Sequence, residues 1–159
     1  MKDLKVSAGL WVYGPVPDRY LPTGYQLTLE IEERIKLASE TVGISGLEVP
    51  FGPVIINENV EDMGELIKKH GLAISSVTVN VTGSRKWALG SLTNPDPAVR
   101  ADAIKMIIDS MQAAKVLKVD RVNLWMGQEG FDYPFEADYA TCGSLCGRVL
   151  RNVRRVLPR

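Results

Sequence analysis

The sequence is poor in the residues that most often build metal and redox centres. Its 159 residues include two cysteines and one histidine. Two thiols are too few for a disulfide framework, so a reducing, cytoplasmic setting is expected. Cys142 and Cys146 have a C-x3-C spacing that a zinc pair could use, but zinc needs two further ligands. His70, the one histidine, is far away in sequence. The thiols are therefore read as incidental, and no metal ligand is assigned.

Net charge is lacking too. The 19 Lys and Arg residues balance 19 Asp and Glu residues. Nothing global then draws nucleic acid or an anionic membrane to the chain. No apolar run approaches the roughly 20 residues of a membrane helix. Met1-Lys2-Asp3-Leu4-Lys5 does not follow a signal-peptide pattern. No G-x-G-x-x-G and no P-loop occur, which lowers the dinucleotide and nucleotide readings.

What is present is an alternation of strand-like and helix-like segments. Residues 4–12, 46–51, 72–82 and 120–125 read as strands, the second limited by Pro50. Between them apolar residues recur at helical spacing. Ile31, Ile35, Ala38 and Val42 form one stripe; Val60, Met63, Leu66 and Ile67 form a second. Val99, Ala103, Met106, Ile107, Ser110, Ala114 and Leu117 form a third. Thr28 and Asn59 are candidate caps, and Asn94-Pro95-Asp96-Pro97 opens the third helix. Gly43 stops the first. His70 suits the last turn of the second, where the helix dipole favours it, and is read as a terminus residue rather than a ligand. A fourth helix is expected from near Glu136. This order predicts an α/β fold with a parallel sheet and right-handed crossovers. An open sheet and a barrel both satisfy it. Long loops after strands one, three and four sit where barrel enzymes place their sites.

Two motifs narrow the choice. Leu89-Gly90-Ser91-Leu92-Thr93-Asn94-Pro95-Asp96-Pro97-Ala98-Val99-Arg100 resembles the loop after the third strand of xylose isomerases. One helix later, Leu124-Trp125-Met126-Gly127-Gln128-Glu129-Gly130 resembles that family's Trp-Gly-Gly-Arg-Glu-Gly stretch. Asp132-Tyr133 through Asp138-Tyr139 is similar to other members of the xylose isomerase-like superfamily. The resemblance covers residues 4–141 and is strongest over 89–139. It implies a partial TIM barrel of about four βα repeats, because the full barrel needs roughly 250 residues.

The resemblance also implies an activity, aldose–ketose isomerisation or sugar epimerisation, on a monosaccharide or related small molecule. The full-length family uses a divalent metal, Mn2+, Mg2+ or Co2+, to stabilise developing alkoxide charge. Trp125 matches the tryptophan of the family's sugar wall, and Trp11 is the candidate second wall. Both also read as strand-end packing. Glu48 is either a sugar contact or a solvated strand-end charge. Lys86 and Trp87 sit in the third loop, where a surface role is favoured over a pocket mouth. Glu129 is expected to support the pocket without binding metal.

The sequence departs from the family in two ways. Leu47-Glu48-Val49-Pro50-Phe51-Gly52 stands where xylose isomerases carry a catalytic His-Asp pair. The family's metal ligands come from later strands, so none is carried over, and little or no turnover is expected of this chain by itself. The segment from Gly143 onward contains no acidic residue but has Arg148, Arg151, Arg154, Arg155 and Arg159. Residues 142–159 are therefore set apart as a basic tail. It is an amphipathic packing helix on Leu145, Val149, Val153 and Val156, a surface for an anionic partner, or the product of a shifted reading frame near codon 142. Two other functions stay open. One is a sugar-binding half-barrel without turnover. The other is metal-dependent chemistry like that of apurinic-site endonucleases, against which the scattered arginines before the tail argue. A half-barrel also exposes sheet edges, so a homo-oligomer is expected.

Overall fold

Alternation along the strands decides which side of the sheet is packed. In the computed structural model, residues 4–126, 129 and 135–156 are described, with the backbone alone at 152 and 154–156. Strands β1 (Val6–Gly9), β2 (Ile44–Phe51), β3 (Ala73–Asn80) and β4 (Val122–Trp125) form one parallel sheet in that order. Helices α1 (Ile31–Glu40), α2 (Val60–Lys69), α3 (Pro97–Val116) and α4 (Tyr139–Val156) follow the strands in turn. The result is half of a TIM barrel, four βα units long. Leu47, Val49 and Phe51 of β2 and Val77 and Val79 of β3 are buried. Their alternating neighbours Glu48, Pro50, Thr78 and Asn80 line a cavity on the other face.

The core has two parts. Leu10, Ile35, Leu47, Ile55, Ile67 and Val77 belong to the first. Val79, Trp87, Leu92, Ala103, Ile107, Val149 and Val153 belong to the second. Two of the expected apolar stripes are visible in this arrangement. Val60 and Ile67 are buried on α2, with Met63 and Leu66 packed beside them. Ala103, Ile107, Ser110 and Ala114 are buried on α3.

Several local expectations change. The first strand stops at Gly9 rather than Val12, because residues Leu10–Tyr13 coil into a 3-10 turn. That spacing drops Leu10 and Tyr13 onto the core and turns Trp11 outward. Pro50 does not shorten β2. The β1 ladder ends at the Gly9–Glu48 pair, so Pro50 lies beyond it and no β1 bond is lost to the missing N–H. Glu30, not Thr28, caps α1, in a reciprocal box with Glu33. Asn59 precedes α2 but spends its side chain on the preceding loop, accepting from Ile56 N–H and donating to the Val54 carbonyl. Trp87 is a core residue, 5% exposed, and not a surface-loop residue. Lys86 lies over its ring and pairs with Asp102. The last helix begins at Tyr139, not Glu136, where Asp138 Oδ1 accepts from the N–H groups of Ala140 and Thr141.

Helix α4 runs continuously across position 142 and seats Val149 and Val153 in the second core. Cys142 and Cys146 are half-buried free thiols on it. His70 ends α2, with Nε2 3.9 Å from Glu32 Oε1. Asp96 caps α3 through a 2.8 Å bond from Ala98 N–H, just ahead of Pro97. Asp96→Ala is expected to cost about 1 kcal/mol, read as a lower urea midpoint at unchanged slope.

Candidate functional site

The strand ends and the turns that follow them build one cavity of about 410 Å³. Glu48 forms its floor on β2, paired in register with Gly9 of β1 and Ser76 of β3. Gly9 matters here because a Cβ on it would stand 2.3 Å from the Trp11 indole. Only glycine lets that ring fold back over the end of β1, beside Glu48. Trp125 closes β4 opposite Asn80 and faces the same space. Trp11 and Trp125 are 48% and 59% exposed, unusual for residues this large and apolar. Trp11, Glu48 and Trp125 thus line one cavity.

Sequence reading missed four of its other members: Arg34, Thr78, Asn80 and Asn123. Thr78 and Asn123 carry a signal that could have found them. Each is a polar residue between apolar neighbours in a strand, Val77 and Val79 or Val122 and Leu124. The two are register partners across β3 and β4. Asn123 Nδ2 donates to Glu48 Oε1 at 2.9 Å, and the Thr78 hydroxyl donates to the same oxygen. Glu48 is therefore held by two donors from two neighbouring strands. Arg34 reaches the cavity from α1, with Nε donating to the Leu29 carbonyl at 2.8 Å.

Glu129 joins the loop after β4 to the loop after β3. Its Oε1 accepts from Ser91 N–H at 2.7 Å and Leu92 N–H at 2.6 Å; Oε2 accepts from Thr93 N–H at 3.1 Å. The Ser91 and Thr93 hydroxyls donate as well. Burial pushes the Glu129 carboxyl up. The donors from Ser91, Thr93 and Leu92 together outweigh that and leave it below its ordinary value. Gly90 makes the approach possible: its φ is +91°, and a Cβ there would sit 2.6 Å from Glu129 Oε2. Gly127, Gln128, Gly130 and residues 131–134 lie outside the described residues, as does Arg159.

The cavity does not fit a resident metal. Among the described residues, no group of three or more His, Cys, Asp or Glu could hold one. Glu48 is the one carboxylate among the lining residues described, and a divalent ion takes several oxygen or nitrogen ligands.

Comparison with known proteins decides the family. A family model described as "Xylose isomerase-like TIM barrel" matches residues 35–159. The chain belongs to this family. Among xylose isomerase-like relatives, the xylose isomerase of Novosphingobium aromaticivorans is 28% identical over 132 residues, 77% of this chain and 29% of that protein. That of Roseobacter denitrificans is 30% identical over 62% of this chain and 23% of its own length. The D-psicose 3-epimerase of Clostridium cellulolyticum H10, solved with D-tagatose, superposes with a TM-score of 0.64 at 17% identity. That match covers 96% of this chain and 48% of the epimerase chain. The 3-keto-D-glucoside 4-epimerase of E. coli superposes at 0.58 and 18% identity, over 79% of this chain and 46% of its own. The chain therefore spans less than a third of these xylose isomerases and about half of the two epimerase structures. Among the described residues, no helix is long and apolar enough to cross a membrane.

Proposed function

We propose that this chain provides the sugar-binding wall of a metal-dependent sugar isomerase or epimerase. One observation carries the reading: two exposed tryptophans and a carboxylate, from the first, fourth and second units respectively, line a single cavity. Indole faces stack on the C–H surface of a sugar ring, while their N–H groups and Glu48 meet its hydroxyls. The arrangement binds and orients a monosaccharide and keeps water off one of its faces. A divalent metal, Mn2+, Mg2+ or Co2+, belongs to the whole-family reaction, and no step is assigned to it here. Turnover by this chain by itself is expected to be slight.

Tryptophan fluorescence titrated with D-xylose, with and without Mn2+ or Mg2+, tests this. The expected result is a saturable change that the metal does not alter, with no ketose formed. Metal-dependent isomerisation by the chain would overturn the claim of low activity. Absence of any saturable change would overturn the sugar reading itself. Among the described lining residues Arg34 is the single cation. That gives a phosphate backbone little to hold and favours a sugar over a nucleic acid.

The sheet supports a second expectation. Among the described strands β1 and β4 each pair with one neighbour, so their outer edges are open. Such edges recruit another chain, and we expect a homo-oligomer. Size-exclusion chromatography with light scattering should return at least a dimer; a stable folded monomer contradicts it.

A further inference from the structure

Hydrogen-bond direction on the cavity floor is set by Glu48, whose carboxylate can only accept. Thr78 and Asn123 both aim donors at its Oε1. The one hydroxyl hydrogen of Thr78 is thereby used. Asn123 turns its NH2 end toward Glu48, so its Oδ1 end faces away. Glu48 Oε2 and Asn123 Oδ1 have no hydrogen-bond partner among the described residues. Neither is a buried orphan, and both residues line the cavity. What the three side chains leave open is therefore acceptor-rich: Glu48 Oε2, Asn123 Oδ1 and a Thr78 lone pair, against one remaining amide hydrogen.

We propose that this floor selects its ligand by hydroxyl donors: two neighbouring hydroxyls deliver their hydrogens to Glu48 Oε2 and Asn123 Oδ1 while the ring stacks on a tryptophan. Thr78 is a positioning residue that holds Glu48 in place. The inference rests on the sugar reading and narrows it to a polyol with a free pair of adjacent hydroxyls. A ligand of the same shape without donors leaves two acceptors desolvated and unpaired, and is rejected for that reason.

The test uses the full chain and two probes, D-xylose and its fully O-methylated methyl glycoside. The second keeps the ring and removes every donor. The expected result is binding about ten-fold weaker for the methylated probe. Glu48→Gln is the informative variant. Its amide oxygen replaces Oε1 between Thr78 and Asn123, so the ladder persists, but its NH2 end now faces the cavity as a donor. D-xylose should bind this variant about ten-fold more weakly, at unchanged circular dichroism and melting temperature. Thr78→Val should weaken D-xylose binding by releasing Glu48, and Thr78→Ser, which keeps the hydroxyl, should restore it.

Equal affinity for both probes overturns the proposal. So does wild-type affinity in Glu48→Gln, or equal impairment of the valine and serine variants. In those cases D-xylose still binds and the sugar reading stands. If D-xylose does not bind at all, both fall together.

Discussion

Replacing Glu129 with alanine is expected to lower stability by about 3 kcal/mol, because three buried backbone N–H groups lose their common acceptor at roughly 1–3 kcal/mol each, with water recovering part of the loss. Ser91, Leu92 and Thr93 are 1%, 0% and 8% exposed. Their amides and two hydroxyls all point at one carboxylate. No other group on that loop replaces it, since the Asn94 side chain is already spent on the Gly90 carbonyl and Asp96 N–H. Urea denaturation reads the loss as a lower midpoint. A change under about 0.5 kcal/mol, the range of ordinary surface substitutions, would mean that the latch is ornamental. Gly90→Ala attacks the same contact from the other side, through a Cβ 2.6 Å from Glu129 Oε2 at a φ of +91°.

The latch also predicts a pH dependence. The folded Glu129 carboxyl lies below its ordinary value. A depressed carboxyl contributes stability above the unfolded pKa and loses it as pH falls through the folded one. The stability gap between wild type and Glu129→Gln should therefore be full at neutral pH and shrink from about pH 5 downward. A gap that widens on acidification would contradict the carboxylate's role.

The second large effect concerns binding. Trp125→Ala is expected to weaken D-xylose binding about ten-fold or more, the loss of one stacking face with its buried area. Trp11→Ala should do the same from the opposite side. Both rings are substantially exposed, at 59% and 48%, so the fold should change by about 0.5 kcal/mol or less. That split, large on binding and small on stability, separates a sugar wall from strand-end packing. A large loss of stability with unchanged affinity would assign both tryptophans to packing.

The order of elements was legible because strand-like segments and segments with helix-spaced apolar residues alternate along the chain, although Val42 of the first stripe lies exposed beyond the end of α1. Asn94-Pro95-Asp96-Pro97 shows this best, since the cap, the proline and the buried face of α3 all agree. Turn geometry was less legible. Residues 4–12 carry β-branched and aromatic side chains that suit a strand, yet the 3-10 turn wins because it buries Leu10 and packs Tyr13 against the same core. Trp87 reads as a loop residue from its neighbours Arg85 and Lys86, and burial follows only from the packing of α3 and α4 over it. At the site, Trp11, Glu48 and Trp125 stood out as large or charged residues at strand ends. Thr78 and Asn123 did not, because their meaning lies in register: only pairing across β2, β3 and β4 brings both to one oxygen of Glu48.

The three tryptophans offer one direct measurement of the central claim. With 5-fluorotryptophan in all three positions, 19F NMR gives a separate resonance for each, assigned by single Trp→Phe substitutions. Trp11 and Trp125 line the cavity, while Trp87 is buried in the second core. D-xylose should shift the first two resonances saturably and leave the third in place. Three unmoved resonances, or a shift at Trp87 without one at Trp11 and Trp125, would contradict a sugar site on this face of the half-barrel.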